Sequence, residues 1–313
     1  MLEKIIEVKK LVKKYKKANK PAVDSITFDV KKGEFFALLG PNGAGKTTII
    51  SILTTILNKS GGEVKIVGFD IDKEADKIRK NIGIIFQNPS LDLNLTAEEN
   101  IRFHALIYGL YPFRPSFSLM PEEYRREVFK LAEIIGIKKD IVKPVKTFSG
   151  GMKRKLEIVR SLIHKPKILF LDEPTSGLDP VSRRNLWKYL QDIRKRYKTT
   201  IFLTTHYLEE AEDADRILII DRGKIVTLGT PAKIKKELID SSIILNAKDK
   251  AALKSELDAM KLDYEGHGPF KIKLNGKNPQ KIIKSIRSDL TYLDINNPKL
   301  EDAYLKLIAK GIK

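Results

Sequence analysis

The run Phe35-Phe36-Ala37-Leu38-Leu39 passes directly into Gly40-Pro41-Asn42-Gly43-Ala44-Gly45-Lys46-Thr47, and then into the helix-compatible Thr48-Ile49-Ile50-Ser51-Ile52-Leu53. No other stretch constrains the fold as tightly. Five consecutive apolar residues predict a strand buried on both faces, as in a parallel sheet. A G-x-x-x-x-G-K-[ST] loop between such a strand and a helix is built to hold phosphate. Its glycines let successive backbone N–H groups curl around phosphate oxygens, and the helix N-terminus adds positive potential. Lys46 would reach the β- and γ-phosphates of a nucleotide, and Thr47 would ligate Mg2+. A chance glycine turn would not bring these flanks with it.

Further short apolar runs extend the same sheet: IGIIF (82–86), ILFL (168–171) and TIFLTT (200–205). Helical stretches separate them, which predicts an α/β fold with a largely parallel sheet. Residues 4–12 and 25–31 alternate apolar and polar instead, as half-buried strands do. Residues 217–228 predict a hairpin turning at Asp221-Arg222-Gly223-Lys224. Between about 88 and 147 the texture is helical. Thr96-Ala97-Glu98-Glu99 fits a capping box ahead of a helix to about Tyr108, and a second helix starts near Pro121. Past Gly229 weak alternation returns in 243–245 and 271–274. A chain of 313 residues has room for about two domains. The expected boundaries are 1–229, with the helical insert at about 88–147, and a small α+β domain at 230–313.

The second chemical constellation is Ile168-Leu169-Phe170-Leu171-Asp172-Glu173. Two carboxylates ending a buried strand are costly unless they meet a cation or water. Side chains alternate along a strand, so the pair can divide the work. Asp172 would join the Mg2+ shell, and Glu173 would act as general base on water. Three single residues are open to two readings each. Gln87 could sense Mg2+ and water or be a surface amide; His206 could contact the γ-phosphate or be a satisfied histidine. Tyr15 could stack on a base or be an ordinary aromatic at a strand end. A further puzzle is Phe148-Ser149-Gly150-Gly151-Met152-Lys153, where two glycines open a helix-forming run. Each costs about 1 kcal/mol inside a helix. Either this is a loop that happens to end in a helix, or a phosphate must come very close to the backbone.

Composition narrows the setting. There is no cysteine, which excludes disulfides, thiol catalysis and cysteine-ligated metal sites. No apolar run approaches the roughly 18 residues that a membrane-spanning helix needs, and the N-terminus has no apolar segment of signal-peptide length. A soluble, cytosolic protein is expected. The formal charge of +19 invites a nucleic-acid reading. The excess is spread out, mostly lysine, and lacks aromatic interleaving, so a solvated surface is expected and no specific nucleic acid.

Taken in order, GPNGAGKTT, Gln87, SGGMK, ILFLDEP, Ser176-Gly177-Leu178-Asp179 and His206 resemble the motifs of the ABC-type ATPases. The likeness covers about residues 2–229. It implies a P-loop NTPase core with an N-terminal antiparallel β subdomain and an inserted helical subdomain, with ATP and Mg2+ as cofactors. It makes Tyr15 the adenine-stacking residue, Glu173 the base and His206 the γ-phosphate switch. Gln87 joins Thr47 and Asp172 around Mg2+. It also answers the glycine puzzle: Ser149, Gly150 and Gly151 would cap the γ-phosphate of ATP bound to an opposing protomer. A dimer is implied, homodimeric or with a second ABC ATPase, beside a membrane-spanning permease on the cytoplasmic face of the membrane.

One departure stands out. Met152 occupies the place where the family commonly has glutamine, and it cannot supply an amide's hydrogen bonds. A Met signature followed by basic residues, and the ending Asn297-Pro298-Lys299-Leu300-Glu301-Asp302-Ala303-Tyr304-Leu305, resemble the drug- and antibiotic-exporter branch. An exporter subunit is therefore expected, with an importer subunit as the nearer rival. A DNA- or ribosome-acting ABC ATPase is the remoter one: Lys46 and Asp172 are only 126 positions apart, with no sustained heptads between them. The stretch 111–120 resembles an insertion, with no role expected beyond a surface loop. The transported substrate has no readable signal.

Overall fold

The computed structural model describes residues 3–87, 90–238, 242–274, 277–296, 299–302 and 304. Of the ending 297–305, Asn297, Pro298, Ala303 and Leu305 therefore lie outside the described residues. Contacts divide the chain into two compact units, Met1–Leu228 and Gly229–Lys313.

Among the described residues up to Gly229 there are ten strands: β1 (Lys4–Lys13), β2 (Val23–Lys31), β3 (Phe35–Leu39), β4 (Gly61–Ile66), β5 (Phe69–Asp70), β6 (Ile82–Ile85), β7 (Ile168–Asp172), β8 (Thr200–Thr205), β9 (Arg216–Asp221) and β10 (Lys224–Gly229). They form two sheets, ordered β2-β1-β4-β5 and β10-β9-β3-β8-β7-β6. The first sheet is antiparallel. In the second, β3 pairs in parallel with β8 and β9, and β7 with β6 and β8. Every residue of β3, β7 and β8 is buried, which is why these strands read as unbroken apolar runs rather than alternating ones. The strand predicted over 82–86 ends one residue earlier, leaving Phe86 partly exposed.

The two sheets are joined by an aromatic stack. Phe28 of β2 lies 5.8 Å from Phe36 of β3, which lies 5.4 Å from Phe202 of β8; Phe170 of β7 completes the group at 5.3 Å. All four rings belong to one core with Ile6, Val8, Ile49 and Ile52. The β9–β10 hairpin turns at Arg222 and Gly223, both with positive φ, as the right-handed twist of paired strands favours.

Helices fill the crossovers. The helix α1 (Lys46–Leu53) follows the glycine loop, and α2 (Ala75–Asn81) leads into β6. The helical segment holds α3 (Ala97–Ile107) and α4 (Glu122–Ile135), followed by α5 (Gly150–Leu162), α6 (Pro180–Tyr197) and α7 (Leu208–Ala211). The capping box at α3 forms as read: Thr96 Oγ1 accepts from Glu99 N at 3.2 Å, and Glu99 accepts from Thr96 N at 2.8 Å. The aromatic stretch is more than a surface loop. Tyr111 and Phe117 meet the fully buried Tyr124 of α4 edge-on, at 5.3 and 6.1 Å.

The second unit has helices α8 (Pro231–Leu238), α9 (Lys250–Ala259) and α10 (Pro279–Ser285). Its strands β11 (Ser242–Ala247), β12 (Tyr264–Glu265), β13 (Phe270–Lys273) and β14 (Leu290–Asn296) form an antiparallel sheet ordered β12-β13-β11-β14. Leu253 and Leu257 of α9 and Ile282 of α10 cover Ile243, Leu245, Phe270 and Ile272. Among the described residues no helix is long and apolar enough to cross a membrane.

Candidate functional site

The carboxyl ends of a parallel sheet are where such folds open a binding crevice. Here the ladder brings those ends level: Leu39 lies beside Thr205, and Asp172 beside Thr204. The glycine loop leaves β3, Gln87 follows β6, Glu173 follows β7 and His206 follows β8. They surround a cleft of about 430 Å³, a size suited to a small molecule. Of the residues singled out from the sequence, Asn42, Gly43, Gly45, Lys46, Thr47, Thr48, Gln87, Glu173, Ser176 and His206 line it. Gly40, Pro41 and Ala44 belong to the same loop but do not line the cleft. A larger hollow of about 670 Å³ lies by Lys32, Gly33 and Lys198, at the other end of β3, and gathers no comparable set of groups.

The loop is fixed by close backbone approach. A Cβ on Gly40 would stand 2.5 Å from the carbonyl oxygen of Ile220, and one on Gly45 2.6 Å from that of Ala22. Gly45 also has φ +107°, a region costly for any other residue. Lys46, 6% exposed, donates from Nζ to the Gly40 and Pro41 carbonyls at 2.8 and 3.1 Å. Burial pushes this ammonium below its ordinary pKa, and the negative charges of Glu173 and Asp172 oppose the shift.

Across the cleft, Glu173 adopts φ +46°, and its N–H donates to Thr204 O at 3.0 Å. This sharp turn after β7 sends its carboxylate into the cleft. Gln87 Nε2 donates to Glu173 Oε2 at 3.3 Å, and His206 Nδ1 lies 3.1 Å from Oε1. The structure thus brings Gln87, Glu173 and His206 together. Asp172 does not line the cleft. Its carboxylate is buried and accepts from the Thr204 hydroxyl; burial raises its pKa, partly offset by that hydrogen bond. Tyr15 sits at the mouth, 45% exposed, with its hydroxyl 3.2 Å from Thr48 Oγ1.

Ser149, Gly150 and Gly151 are not in the cleft. They open α5, where Ser149 Oγ accepts from Met152 N at 3.2 Å as the helix cap. A Cβ on Gly150 would meet nothing within 4 Å.

Among the described residues no group of His, Cys, Asp and Glu is gathered to hold a metal by itself. Of the oxygen donors expected around Mg2+, the Thr47 hydroxyl and the Gln87 amide line the cleft, whereas the Asp172 carboxylate does not and is engaged by the Thr204 hydroxyl. Hard oxygen donors, too few for a complete shell, fit Mg2+, which keeps waters and takes phosphate oxygens.

Sequence reasoning missed several groups around this site. Buried Glu210 accepts from the hydroxyls of Thr175 and Thr205, and Thr205 Oγ1 accepts from Tyr207 N at 2.9 Å, tying down the segment that carries His206. The guanidinium of Arg183 lies 4.3 Å over the Tyr207 ring, which meets the His206 ring at 4.0 Å, tilted by 38°. Thr205, Tyr207 and Glu210 lie within one short segment, but Thr175 and Arg183 reach it from a different crossover, which no local pattern marks.

The ABC transporter family model matches residues 23–176. The chain is 37% identical over 235 residues to the probable multidrug ABC transporter ATP-binding protein YbhF of Escherichia coli, covering 75% of this chain but 39% of that protein. It therefore spans about two fifths of that relative's length. It is 33% identical over 324 residues to the linearmycin resistance ATP-binding protein LnrL of Bacillus subtilis, covering 99% of this chain and 100% of that one. Among solved structures, it resembles a dimeric post-hydrolysis state of the ATP-binding cassette MJ0796 bound to ADP and Pi. That match has a TM-score of 0.64 and 27% identity, and covers 72% of this chain and 98% of the other. With whole-length similarity joined to the glycine loop and the Glu173 that face one cleft, the chain belongs to the ABC transporter family.

Proposed function

We propose that this chain is the ATP-driven subunit of an exporter, working as a dimer beneath a separate membrane-spanning permease on the cytoplasmic face of the membrane. The observation that carries the chemistry is Glu173, held between Gln87 and His206 in the cleft that Lys46 and Thr47 line. Lys46 and the loop N–H groups hold the β- and γ-phosphates, and Tyr15 stacks on the adenine. Thr47 and Gln87 would hold Mg2+, with Asp172 joining if its carboxylate left Thr204, and the ion would neutralise phosphate charge. Water attacks the γ-phosphorus, its bond to the β–γ bridging oxygen breaks, and the proton passes to the Glu173 carboxylate, leaving ADP and phosphate. His206 keeps Glu173 oriented and contacts the γ-phosphate. Ser149, Gly150 and Gly151 of a second copy close the site over that phosphate.

Export, rather than import, is supported by the Met152 signature and by similarity over the whole length to a protein named for antibiotic resistance. Leu93 and Phe103, both more than two-fifths exposed on the helical segment, offer apolar contacts for the permease. A net charge of +19 suits an anionic membrane face. Tagged Glu173→Gln protein, trapped with ATP and Mg2+, should recover a polytopic membrane protein from solubilised source membranes. Recovery of ribosomal or DNA-bound partners alone would replace the transporter assignment.

A further inference from the structure

Arg154, Glu157 and Arg160 are spaced three apart on α5, so they share one helical face. That face holds Phe86 and Gln87, which follow β6, and Ser90. Arg154 donates to the carbonyl oxygens of Phe86 and Gln87, at 2.5 and 3.0 Å, and to Glu157 at 2.8 Å. Glu157 accepts from Ser90 N at 3.0 Å, and Arg160 donates to Ser90 O and Oγ, both at 2.6 Å. Arg154 is 4% exposed and Glu157 1%.

Packing alone does not call for this arrangement. Burying two ions costs several kcal/mol each, and apolar side chains of similar volume often do as well or better. What an apolar set cannot do is hold named backbone atoms in one register. A guanidinium fork serves that purpose, since its rigid donors fix several acceptors at once. Gln87 is therefore held twice, its carbonyl from α5 and its side chain at Glu173 in the cleft. The same α5 begins with Ser149, Gly150 and Gly151.

We propose that Arg154, Glu157 and Arg160 are positioning residues that link Gln87 in one site to the Ser149–Gly151 turn aimed at the other. A displacement of Gln87 is passed through the grip to the helix that bears the turn, so each site reports its state to its neighbour. This inference rests on the dimeric ATPase reading given above.

The test uses the full chain with Arg154→Met, which keeps length but removes every donor, and Arg154→Lys, which keeps charge but not the fork. Affinity is read by titration with a fluorescent ATP analogue, and turnover is followed against ATP concentration. Arg154→Met should bind nucleotide within about twofold of the unaltered chain. Its turnover should fall roughly ten- to a hundredfold, the scale of a small misplacement in a site, and the cooperativity of hydrolysis with ATP should disappear. Arg154→Lys should not restore either property. Adding Gln87→Ala to Arg154→Met should cost little more than one change alone, because both act at the same point. Undiminished cooperativity in Arg154→Met, or fully additive losses with Gln87→Ala, would overturn the linkage and leave a packing role. If Arg154→Met does not fold, the less buried Arg160→Met is read by the same criteria. An unaltered chain that neither binds nor hydrolyses ATP would defeat the functional reading itself, whatever the variants did.

Discussion

The cleft and the head of α5 are prepared for phosphate in opposite ways. In the cleft, side chains are already committed to one another: Lys46 to its own loop carbonyls, Gln87 and His206 to Glu173. At the head of α5, Ser149 caps the helix, and the space beside Gly150 is open. One region is a network of side chains already paired, and the other is a capped helix start with open space beside Gly150. Such a start attracts an anion but cannot enclose one. The contrast teaches that neither region is a complete site. On the proposed reading, completeness comes when the cleft of one chain meets the turn of another.

The sharpest way to break this contrast is Glu173→Gln. Turnover should fall at least about a hundredfold while ATP binding survives, as expected for loss of a general base. Near-normal hydrolysis would mean that the chemistry does not reside in the cleft. Lys46→Ala comes next: loss of a charge-assisted contact should weaken nucleotide affinity by about tenfold or more, read by titration. Unchanged affinity would leave the glycine loop without its role.

Acid should act on the α5 side specifically. His164, just past the C-terminal end of α5, donates from Nε2 to Ile82 O at 2.9 Å, packs on Tyr108 and lies 3.4 Å from His104. Burial, with the neighbouring His164 and Arg160 charges, pushes His104 down to about 3. A histidine held neutral in the folded chain stabilises it fully above the unfolded value of about 6.5. That stability drains as the pH falls from there towards 3, at up to about 1.4 kcal/mol per pH unit. Urea midpoints at pH 7 and pH 5 should differ accordingly, and His104→Leu should shrink the difference. An unchanged difference would remove the pair from the account. The smallest effect should come from Ser149→Ala, which loses about 1 kcal/mol of helix capping. The informative readout is ATP-driven dimerisation in a Glu173→Gln background, which should weaken while nucleotide binding to the single chain stays the same. Undiminished dimerisation would show that the turn does not need its hydroxyl.

Much of this was legible in the residues because it is local. The glycine loop, the buried strands around it and the capping box at Thr96 each depend on a few consecutive positions. Glu173 could be singled out as a candidate, but its left-handed backbone, which aims the carboxylate, leaves no mark in composition. Arg154, Glu157 and Glu210 could not be read at all. Their partners lie 67 or 68, 67 and 35 positions away, respectively, for the Phe86 and Gln87 carbonyls, the Ser90 amide and Thr175. A charge on a helix face looks the same in a sequence whether water or a distant carbonyl receives it.

Gly223 carries a consequence of this kind. At the tip of the β9–β10 hairpin, its N–H donates to Ala44 O at 3.0 Å, and its own carbonyl accepts from Asp24 N at 2.8 Å. A Cβ there would stand 2.8 Å from Ala22 O, the same atom against which Gly45 is pressed. The phosphate loop is thus seated on a three-way junction of bare backbone. Its geometry depends on a turn nearly 180 positions downstream that touches no nucleotide. Adding one methyl group at that turn should tilt the loop and cost ATP affinity, although every residue of the cleft would be unchanged.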